Sequence, residues 1–414
     1  MNRPPMLILR VCALLAAIIL IAASSVGAQE VGITATSVRL GGVMDLEGDS
    51  RGLGLNMRAG LNAAFRDRTV KGRHIEFIAV NDFYNPPDTI AQTNALIEHG
   101  IFAMIGNVGT PTARVALPIL KAHNVPAVGF FTGAGLLRPG VGDIINYRAS
   151  YVQEVSTVIR AALAAGVQPA EICAFVQNDS YGMAGVAGIT RTLSGLPGAE
   201  SVVDALERLA ALEGPRPARN FGGPIGVYER NTLYVRDGYD SLKIWETATG
   251  NPCRLVITVG AYAAIARFVG YARYRGESWL FSAVSFTGAA NLRQTLALHG
   301  VEDGVIMTQV VPALDSPLPL VAKAREALGN DLNYVSLEGF IVGRMFLAIA
   351  DAVEGPLTRE HFLSAVLGRR IHLDGLTLDF TSDNQGSDFV LSTYLDGEDY
   401  HVLSPGQLQQ LFRR

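Results

Sequence analysis

The sequence predicts an α/β fold of two Rossmann-like lobes, each with a parallel doubly wound sheet, joined by a multi-strand hinge. Short apolar runs alternate with amphipathic helical segments from Thr36 onward, a pattern typical of parallel sheets covered on both faces. The same alternation is repeated after Tyr151. The chain has 414 residues, 49% hydrophobic and 17% charged, which suffices for two cores.

The first half of the chain predicts one lobe with four strands. The strands are expected at 38–44, 74–82, 102–105 and 127–131, and helices at 54–66, at 87–100 and from Pro111 onward. Ligands of such sheets lie beyond the carboxyl ends of the strands. We therefore expect segments 45–53, 82–85, 107–112 and 130–135 to form one rim.

The turn after the third of these strands is the first candidate binding element. Gly106 and Gly109 allow the backbone to make a tight turn. Thr110 is predicted to cap a helix that has Pro111 at its first position. The N–H groups of Thr112 and Ala113 are then expected to point out of the helix end, where they suit a carboxylate. The alternative is a turn that only caps its helix.

The second half of the chain predicts the other lobe and the returning segments. The expected helices are 152–165, 183–193, 199–212, 240–247, 264–275, 334–353 and 359–367, and the expected strands are 171–177, 225–230, 253–259, 279–283 and 304–311. Residues 194–224 are interpreted as a surface insertion, and 376–380 with 389–394 as a hairpin. We predict lobe one from 29–149 with 312–378, and lobe two from 150–311 with 379–414.

The N-terminus predicts export. Arg3 and Arg10 precede an apolar run at 11–23, and small residues at 26–28 fit cleavage after Ala28. Residues 1–28 are therefore interpreted as a signal peptide, with an uncleaved anchor as the alternative. No later stretch is apolar and long enough to span a membrane, so the mature chain is expected to be soluble.

Charge and cysteine content limit the partners. The formal charge is −4 and no cluster of Lys and Arg occurs, which argues against nucleic acid. Cys173 and Cys253 each begin an apolar run, so they could form a disulfide in an oxidising compartment. Two separate buried thiols are the alternative.

The usual signatures of catalysis are weak. Residues 48–52 fit the G-x-S-x-G pattern, but Ser50 stands six residues beyond Met44 and not at a tight strand-to-helix turn. The seven histidines show no metal-ligand spacing, and no phosphate-binding glycine loop occurs. We predict no catalytic residue, metal or cofactor.

Three longer segments resemble the type I periplasmic solute-binding proteins of ABC importers, specifically the branched-chain amino acid (leucine-isoleucine-valine) group. The segments are VRLGGVMDLEGDSRGLGLNMRAGLNAAF, VNDFYNPPDTIAQTNALIEHGIFAMIGNVGTPTARVALPILKAHNVPAVGFF and VQNDSYGMAGVAG. The resemblance covers nearly the whole mature chain. It implies a periplasmic protein whose two lobes close on a small solute and deliver it to ABC permease subunits.

The resemblance also implies site residues. It places the carboxylate of an amino acid on Thr110, a second small or hydroxyl residue at Thr132 and Gly133, an apolar contact at Leu53, and aromatic walls at Tyr181 and at Ala261 or Tyr262. Phe131 and Tyr151 are expected to add rings, and Ser50 and Ser285 to add hydrogen bonds.

One departure from the family bears on the ligand. An acidic residue that meets the ligand ammonium is expected within 283–286, but Ala283-Val284-Ser285-Phe286 contains none. Either another acid such as Asp179 takes that role, or the ligand is not an α-amino acid. Rings near the rim would suit a flat or aromatic carboxylate, namely Phe83, Phe130, Phe131, Tyr151, Tyr181, Tyr262 and Phe286. Packing in the hinge or core is the alternative role for each.

The favoured hypothesis is an extracytoplasmic substrate-binding component of an ABC transporter that acts as a monomer on an amino acid or other carboxylate. A periplasmic sensor that reports to a receptor or kinase, and a secreted α/β hydrolase that uses Ser50, are the alternatives. The sequence does not name the ligand.

Overall fold

The computed structural model describes residues 30–397 and 399–413. The predicted signal peptide lies outside these residues. Within them, no helix is both long and apolar enough to cross a bilayer.

Lobe one contains a six-stranded sheet. Its strands are β1 (Ser37–Met44), β2 (Thr69–Val70), β3 (Arg73–Asn81), β4 (Ala103–Ile105), β5 (Ala127–Val128) and β6 (Ile144–Ile145), and its first helices are α1 (Arg51–Phe65), α2 (Pro86–Glu98) and α3 (Thr110–Ala122). The order of the strands in the sheet is β2-β3-β1-β4-β5-β6. β1 pairs in parallel with β3 along its whole length, from Ser37 opposite His74 to Met44 opposite Asn81.

Lobe two contains a seven-stranded sheet in the order β15-β14-β11-β10-β9-β7-β8. Its strands are β7 (Ile172–Gln177), β8 (Ile225–Tyr228), β9 (Leu255–Val259), β10 (Leu280–Ala283), β11 (Asp303–Gln309), β14 (Leu391–Asp396) and β15 (Asp399–Leu403). Its helices are α4 (Tyr151–Ala164), α5 (Ser180–Leu193), α6 (Glu200–Ala210), α7 (Arg236–Thr249), α8 (Tyr262–Tyr274), α9 (Ala289–Ala297) and α13 (Pro405–Leu411). The two-lobed α/β fold predicted from the sequence is confirmed.

The chain between β11 and β14 returns to lobe one. It forms α10 (Pro319–Leu328), α11 (Tyr334–Ala352), α12 (Arg359–Ser364), β12 (Arg370–Leu373) and β13 (Leu376–Asp379). Helix α11 packs directly on α1, and a Cβ at Gly60 would lie only 2.1 Å from the Ser336 carbonyl oxygen. Glycine is therefore required where the two helices cross. The predicted lobe limits stay a prediction.

Three chain passages between the lobes are joined by hydrogen bonds. Asn146 donates its N–H to the Asn384 carbonyl at 2.8 Å, and Gly386 donates to the Asn146 carbonyl at 2.9 Å. The Tyr147 hydroxyl donates to the Val310 carbonyl at 3.0 Å. The passages therefore form one connected hinge.

The two cysteines of the described chain form a disulfide. Cys173 on β7 is bonded to Cys253, with 5.8 Å between their Cα atoms. β7 and β9 are parallel neighbours, which brings the segment just before β9 beside the start of β7. The sequence left open a disulfide or two separate thiols, and the structure contains the disulfide.

Two sequence-based expectations about local structure are wrong. Residues 376–380 do not pair with 389–394, because β13 pairs with β12 whereas β14 joins the second sheet between β11 and β15. The cap of α3 is Gly109, with Thr110 as its first residue and Pro111 as its second. The Ala113 N–H donates to the Gly109 carbonyl at 3.1 Å and is therefore not spare.

Candidate functional site

Five aromatic rings meet between the lobes at the carboxyl ends of the strands. We call Tyr84, Phe131, Tyr151, Tyr181 and Phe286 the ring cluster. Phe286 of lobe two lies 5.2 Å from Phe131 and 6.2 Å from Tyr84 of lobe one, between ring centroids, and 4.7 Å from Tyr181. Tyr151 and Tyr181 are 5.3 Å apart. All five are buried, so the structure represents a closed arrangement of the lobes.

Two threonine hydroxyls lie at the edge of the ring cluster. Thr110, at the start of α3, and Thr132, which follows Phe131, have their hydroxyl oxygens 2.6 Å apart and are buried. Each hydroxyl has one proton, and one of them is used within the pair. The second proton can be donated to a different acceptor.

Tyr151 connects this pair to the ring cluster. Its N–H donates to the Gly133 carbonyl at 2.8 Å, and a Cβ on Gly133 would lie 2.7 Å from the Tyr151 ring. Burial raises the pKa of Tyr151 to about 12, although the nearby positive charge of Arg148 lowers it in part. The Tyr151 hydroxyl is buried and has no hydrogen-bond partner among residues 30–397 and 399–413. It is therefore a neutral donor that a ligand can use.

Two predicted residues of lobe two also adjoin the ring cluster. Tyr181, the second residue of α5, is buried, which raises its pKa well above the usual value, and its hydroxyl lies 3.4 Å from the Gly260 carbonyl. Ser285 precedes Phe286 in a single 3₁₀ turn after β10. Its hydroxyl accepts a hydrogen bond from Arg148 and donates one to Glu154, so it does not face the rim.

The remaining predicted residues lie across the lobe interface at different depths. Leu53 is buried on α1 and faces lobe two, since a Cβ on Gly288 would lie 2.5 Å from it. Ser50 lines a small gap with Tyr228 and Ala261. Tyr262 is partly exposed and adjoins the Gly52 backbone, at the outer edge of the interface. Leu53 thus lies at the lobe interface beside Gly288, whereas Ser50 and Tyr262 lie outside the ring cluster.

Besides Tyr262, two more of the rings named from the sequence lie outside the ring cluster. Phe83 is 47% exposed, and Phe130 packs in a separate core cluster of lobe one. Tyr84, and not Phe83, is the buried ring of this loop. Both residues adopt a positive φ, so the tight turn directs the side chain of Tyr84 towards lobe two. Nothing in the local sequence indicates this left-handed pair.

A buried ionic network next to the ring cluster was missed by the sequence analysis. Arg148, in the first hinge passage, has its Cζ 4.8 Å from the Phe131 ring centroid and 5.7 Å from that of Tyr151. It is paired with Glu154 of α4 at 3.2 Å and with Glu338 of α11 at 3.5 Å. The only signal was an arginine between Tyr147 and Ala149, with an acid six residues later.

Glu154 holds this network to lobe two. Its carboxylate accepts the Ser285 N–H at 2.7 Å, the Ser285 hydroxyl at 3.0 Å and the Thr308 hydroxyl at 2.6 Å, besides Arg148. Burial raises the pKa of Glu338 to about 7, despite the opposing effect of Arg148. The network therefore joins the hinge to both lobes.

An open groove of about 720 Å³ lies between the lobes beside the ring cluster. Its lining includes Pro111 and Arg114 of lobe one and Asp179 and Arg230 of lobe two. Asp179 caps α5 through the Tyr181 N–H and accepts a bond from the Gln177 amide, and burial raises its pKa. Arg219 of the predicted surface insertion is buried and donates to Asn178, so the insertion also forms part of this wall.

The part of the chain that the structure describes contains no group of three or more His, Cys, Asp or Glu side chains placed to hold a metal ion. The arrangement consists of rings, hydroxyls and buried ion pairs. Such a set of groups binds and orients a small molecule by stacking and hydrogen bonding.

Comparison with known proteins agrees with this geometry. Residues 37–215 match the family model described as periplasmic binding protein. The fold is similar to that of a possible leucine/isoleucine/valine-binding protein from Rhodopirellula baltica SH 1, with a TM-score of 0.79 and 33% identity over 92% of this chain and 99% of that chain. A search of curated proteins found no significant match.

Two more distant structures share the fold alone. A branched chain amino acid ABC transporter protein from Thermus thermophilus with bound valine has a TM-score of 0.70 at 16% identity, over 90% of this chain and 96% of that one. A solute binding protein of an ABC transporter from R. palustris in complex with benzoate has a TM-score of 0.70 at 14% identity, over 89% and 96%.

Proposed function

The chain belongs to the type I periplasmic binding proteins, in the group of the leucine/isoleucine/valine-binding proteins, and on that premise we propose that it is the extracytoplasmic solute-binding component of an ABC importer. The observation that carries the proposal is the ring cluster, whose walls come from both lobes. Because Tyr84 and Phe131 belong to lobe one and Tyr181 and Phe286 to lobe two, only the closed form contacts a solute on all sides.

The solute is a small molecule with a carboxylate. Thr110 and Thr132 hold the carboxylate through the spare proton of their hydroxyl pair, and Tyr151 donates a second hydrogen bond. The rings enclose the body of the solute. No covalent step occurs. The solute selects the closed form because its contacts with both lobes exist only there, and the permease recognises that form.

A thermal-shift screen of the exported protein against amino acids, aromatic acids, small amides and dicarboxylates tests the proposal. A solute at a hundredfold excess over its Kd adds about 2.7 kcal/mol to the free energy of unfolding. A screen in which no carboxylate raises Tm contradicts the proposal.

The Thr110→Val variant tests the anchor. It is expected to abolish the Tm response to the best solute, because valine keeps the shape but removes the hydroxyl, while the Tm without solute falls modestly, since the buried Thr132 hydroxyl loses its partner. Thr247→Val on the exposed face of α7 is the matched control and is expected to respond like the parent. An unchanged response of Thr110→Val would show that the anchor lies elsewhere.

Delivery to a permease is tested by uptake of the labelled solute in cells that lack this protein. We expect uptake to fall and to be restored by the parent chain but not by Thr110→Val. Normal uptake combined with a lost transcriptional response would instead identify a sensor.

A further inference from the structure

One guanidinium at the hinge is shared by an acid from each lobe. Arg148 of the first hinge passage has a nitrogen 3.2 Å from a carboxylate oxygen of Glu154 on α4, in lobe two. Another of its nitrogens lies 3.5 Å from a carboxylate oxygen of Glu338 on α11, in lobe one. All three side chains are buried. Because the two acids belong to different lobes, a rotation at the hinge must change the distance between them.

The two acids are bonded unequally. The Glu154 carboxylate accepts four hydrogen bonds, which come from Arg148, from Thr308 and from both the N–H and the hydroxyl of Ser285. The Oε1 atom of Glu338 faces Nη1 of Arg148, and neither atom has a hydrogen bond within the described part of the chain. A buried carboxylate needs such bonds to offset its loss of hydration. Glu338 is therefore the acid whose charge is poorly compensated while the lobes are closed.

The other groups around Glu338 add little compensation. Besides Arg148, two charges act on it with opposite signs, namely Arg138 of the first hinge passage and Glu154. Tyr147 of that passage stays neutral, because burial raises its pKa well above the usual value. On the other side, α1 contributes an uncharged methionine that lies against the next residue of α11. The charge of Glu338 therefore depends mainly on the guanidinium that it shares.

Burial of this carboxyl between the lobes links closure to protons. It raises the pKa of Glu338 from 4.5 to about 7, despite the opposing effect of Arg148. Opening the lobes admits water to the carboxyl, which restores its ordinary preference for the charged form. The closed form therefore binds the proton more tightly than the open form does. The contribution of the proton to closure is complete below the pKa of the open form and is lost as the pH rises through about 7.

We propose that Glu338, at the guanidinium it shares with Glu154, makes closure of the lobes depend on pH: closure transfers a proton from the solvent to the Glu338 carboxylate. Charged Glu338 favours the open form, and neutral Glu338 favours the closed form. Arg148 and Glu154 are positioning residues, because they hold the carboxyl of lobe one against lobe two. The inference goes beyond the proposed function, since it concerns closure of the protein without any solute.

Small-angle X-ray scattering of the solute-free protein at about pH 5.5 and about pH 8.5 tests the inference. We expect the ratio of closed to open protein, fitted from the scattering curves, to be at least about tenfold higher at the lower pH. Glu338→Gln is expected to keep the ratio of the low-pH parent at both pH values, because glutamine has the shape of the protonated acid and no charge. Glu326→Gln, at an exposed position on α10, is the matched control and is expected to follow the parent.

Infrared difference spectra between the same two pH values follow the proton itself. A buried protonated carboxyl gives a carbonyl band, which we expect Glu338→Gln to lose and Glu326→Gln to keep. Burial also raises the pKa values of Asp82 and Asp179, so Glu338→Gln is expected to retain a change in the ratio of no more than about threefold. If Glu338→Gln does not fold, the parent still decides, because its band and its radius of gyration must then change with the same midpoint.

Three outcomes would overturn the inference. One is a radius of gyration of the solute-free parent that does not depend on pH, even if Tm does, since Glu338 would then affect folding stability alone. Another is a pH response of Glu338→Gln equal to that of the parent. The third is a carboxyl band whose midpoint differs from that of the radius. Because no solute is present, none of these outcomes bears on solute binding, which the thermal-shift screen decides separately.

Discussion

Among single residues, Gly133 leaves little room for a larger side chain at the candidate site. A Cβ there would lie 2.7 Å from the Tyr151 ring and 2.8 Å from the Tyr151 nitrogen. Tyr151 cannot move away easily, because its N–H is bonded to the Gly133 carbonyl and its ring packs against Tyr181. The backbone at Gly133 therefore determines where the Tyr151 hydroxyl points.

Gly133→Ala is expected to lower the free energy of unfolding by about 1–3 kcal/mol and to weaken solute binding, because it overpacks the site. Gly135→Ala is the matched control, since a Cβ there would meet nothing within 4 Å. Urea unfolding and calorimetry measure both effects. Equal stability and affinity of the two variants would show that the contact with Tyr151 is unimportant.

Glu338 is expected to make stability depend on pH. Its pKa is raised from 4.5 to about 7 in the folded chain, chiefly by burial, so the folded state binds the proton more tightly than the unfolded state does. This contribution is complete below the unfolded pKa and is lost as the pH rises through about 7. The difference amounts to roughly 3 kcal/mol.

Glu338→Gln should therefore flatten the change in Tm between about pH 5 and about pH 8. Asp82 adds a dependence of the same sign, because burial raises its pKa to about 6, so some slope will remain. Glu326→Gln, at an exposed position on α10, serves as the control and should leave the profile unchanged. A profile of Glu338→Gln that matches the parent would contradict the assignment.

Among the elements, the loop between β3 and α2 acts as the contact from lobe one to lobe two. Phe83 and Tyr84 both have positive φ, at 52° and 53°, which is unfavourable for residues with a Cβ. Two side chains stabilise the turn. Asn81 accepts a hydrogen bond from the Phe83 N–H, and Asp82 accepts one from the Tyr84 N–H. The Tyr84 hydroxyl oxygen then accepts a hydrogen bond from the side-chain amide of Gln177 in lobe two, at 3.1 Å.

Tyr84→Phe is expected to weaken solute binding about fivefold, because the closed form loses one hydrogen bond between the lobes. The ring is retained, so the Tm without solute should change little. Tyr234→Phe, at a side chain that is 85% exposed, controls for the substitution. An affinity equal to that of the parent would mean that this hydrogen bond contributes nothing to closure.

For the whole molecule, closure is a prediction that scattering can test. The structure has its rings in contact across the lobes, and three hinge passages connect the two halves. We expect the radius of gyration from small-angle X-ray scattering to be larger without solute and to fall when a carboxylate that raises Tm is added, because the solute stabilises the closed form. The same radius with and without a solute that raises Tm would contradict a hinge.

Sequence patterns were enough to predict the alternation of the longer strands and helices and the two-lobed class. Strand and helix periods are local properties, so β1, β7 and α11 were predicted within about two residues of their bounds. The turn at Thr110, with Phe131 and Thr132, was placed at one rim because the carboxyl ends of parallel strands meet there.

The tertiary structure alone decided which side chains face the solute site. Tyr84 replaced Phe83 through two left-handed residues, and Glu154 reached Ser285 from a position 131 residues earlier in the chain. The pairing of β13 with β12 likewise depended on which strand was free to pair. Periodicity reports the burial of a residue within its own element, whereas the charge around the rings depends on side chains that only folding brings together.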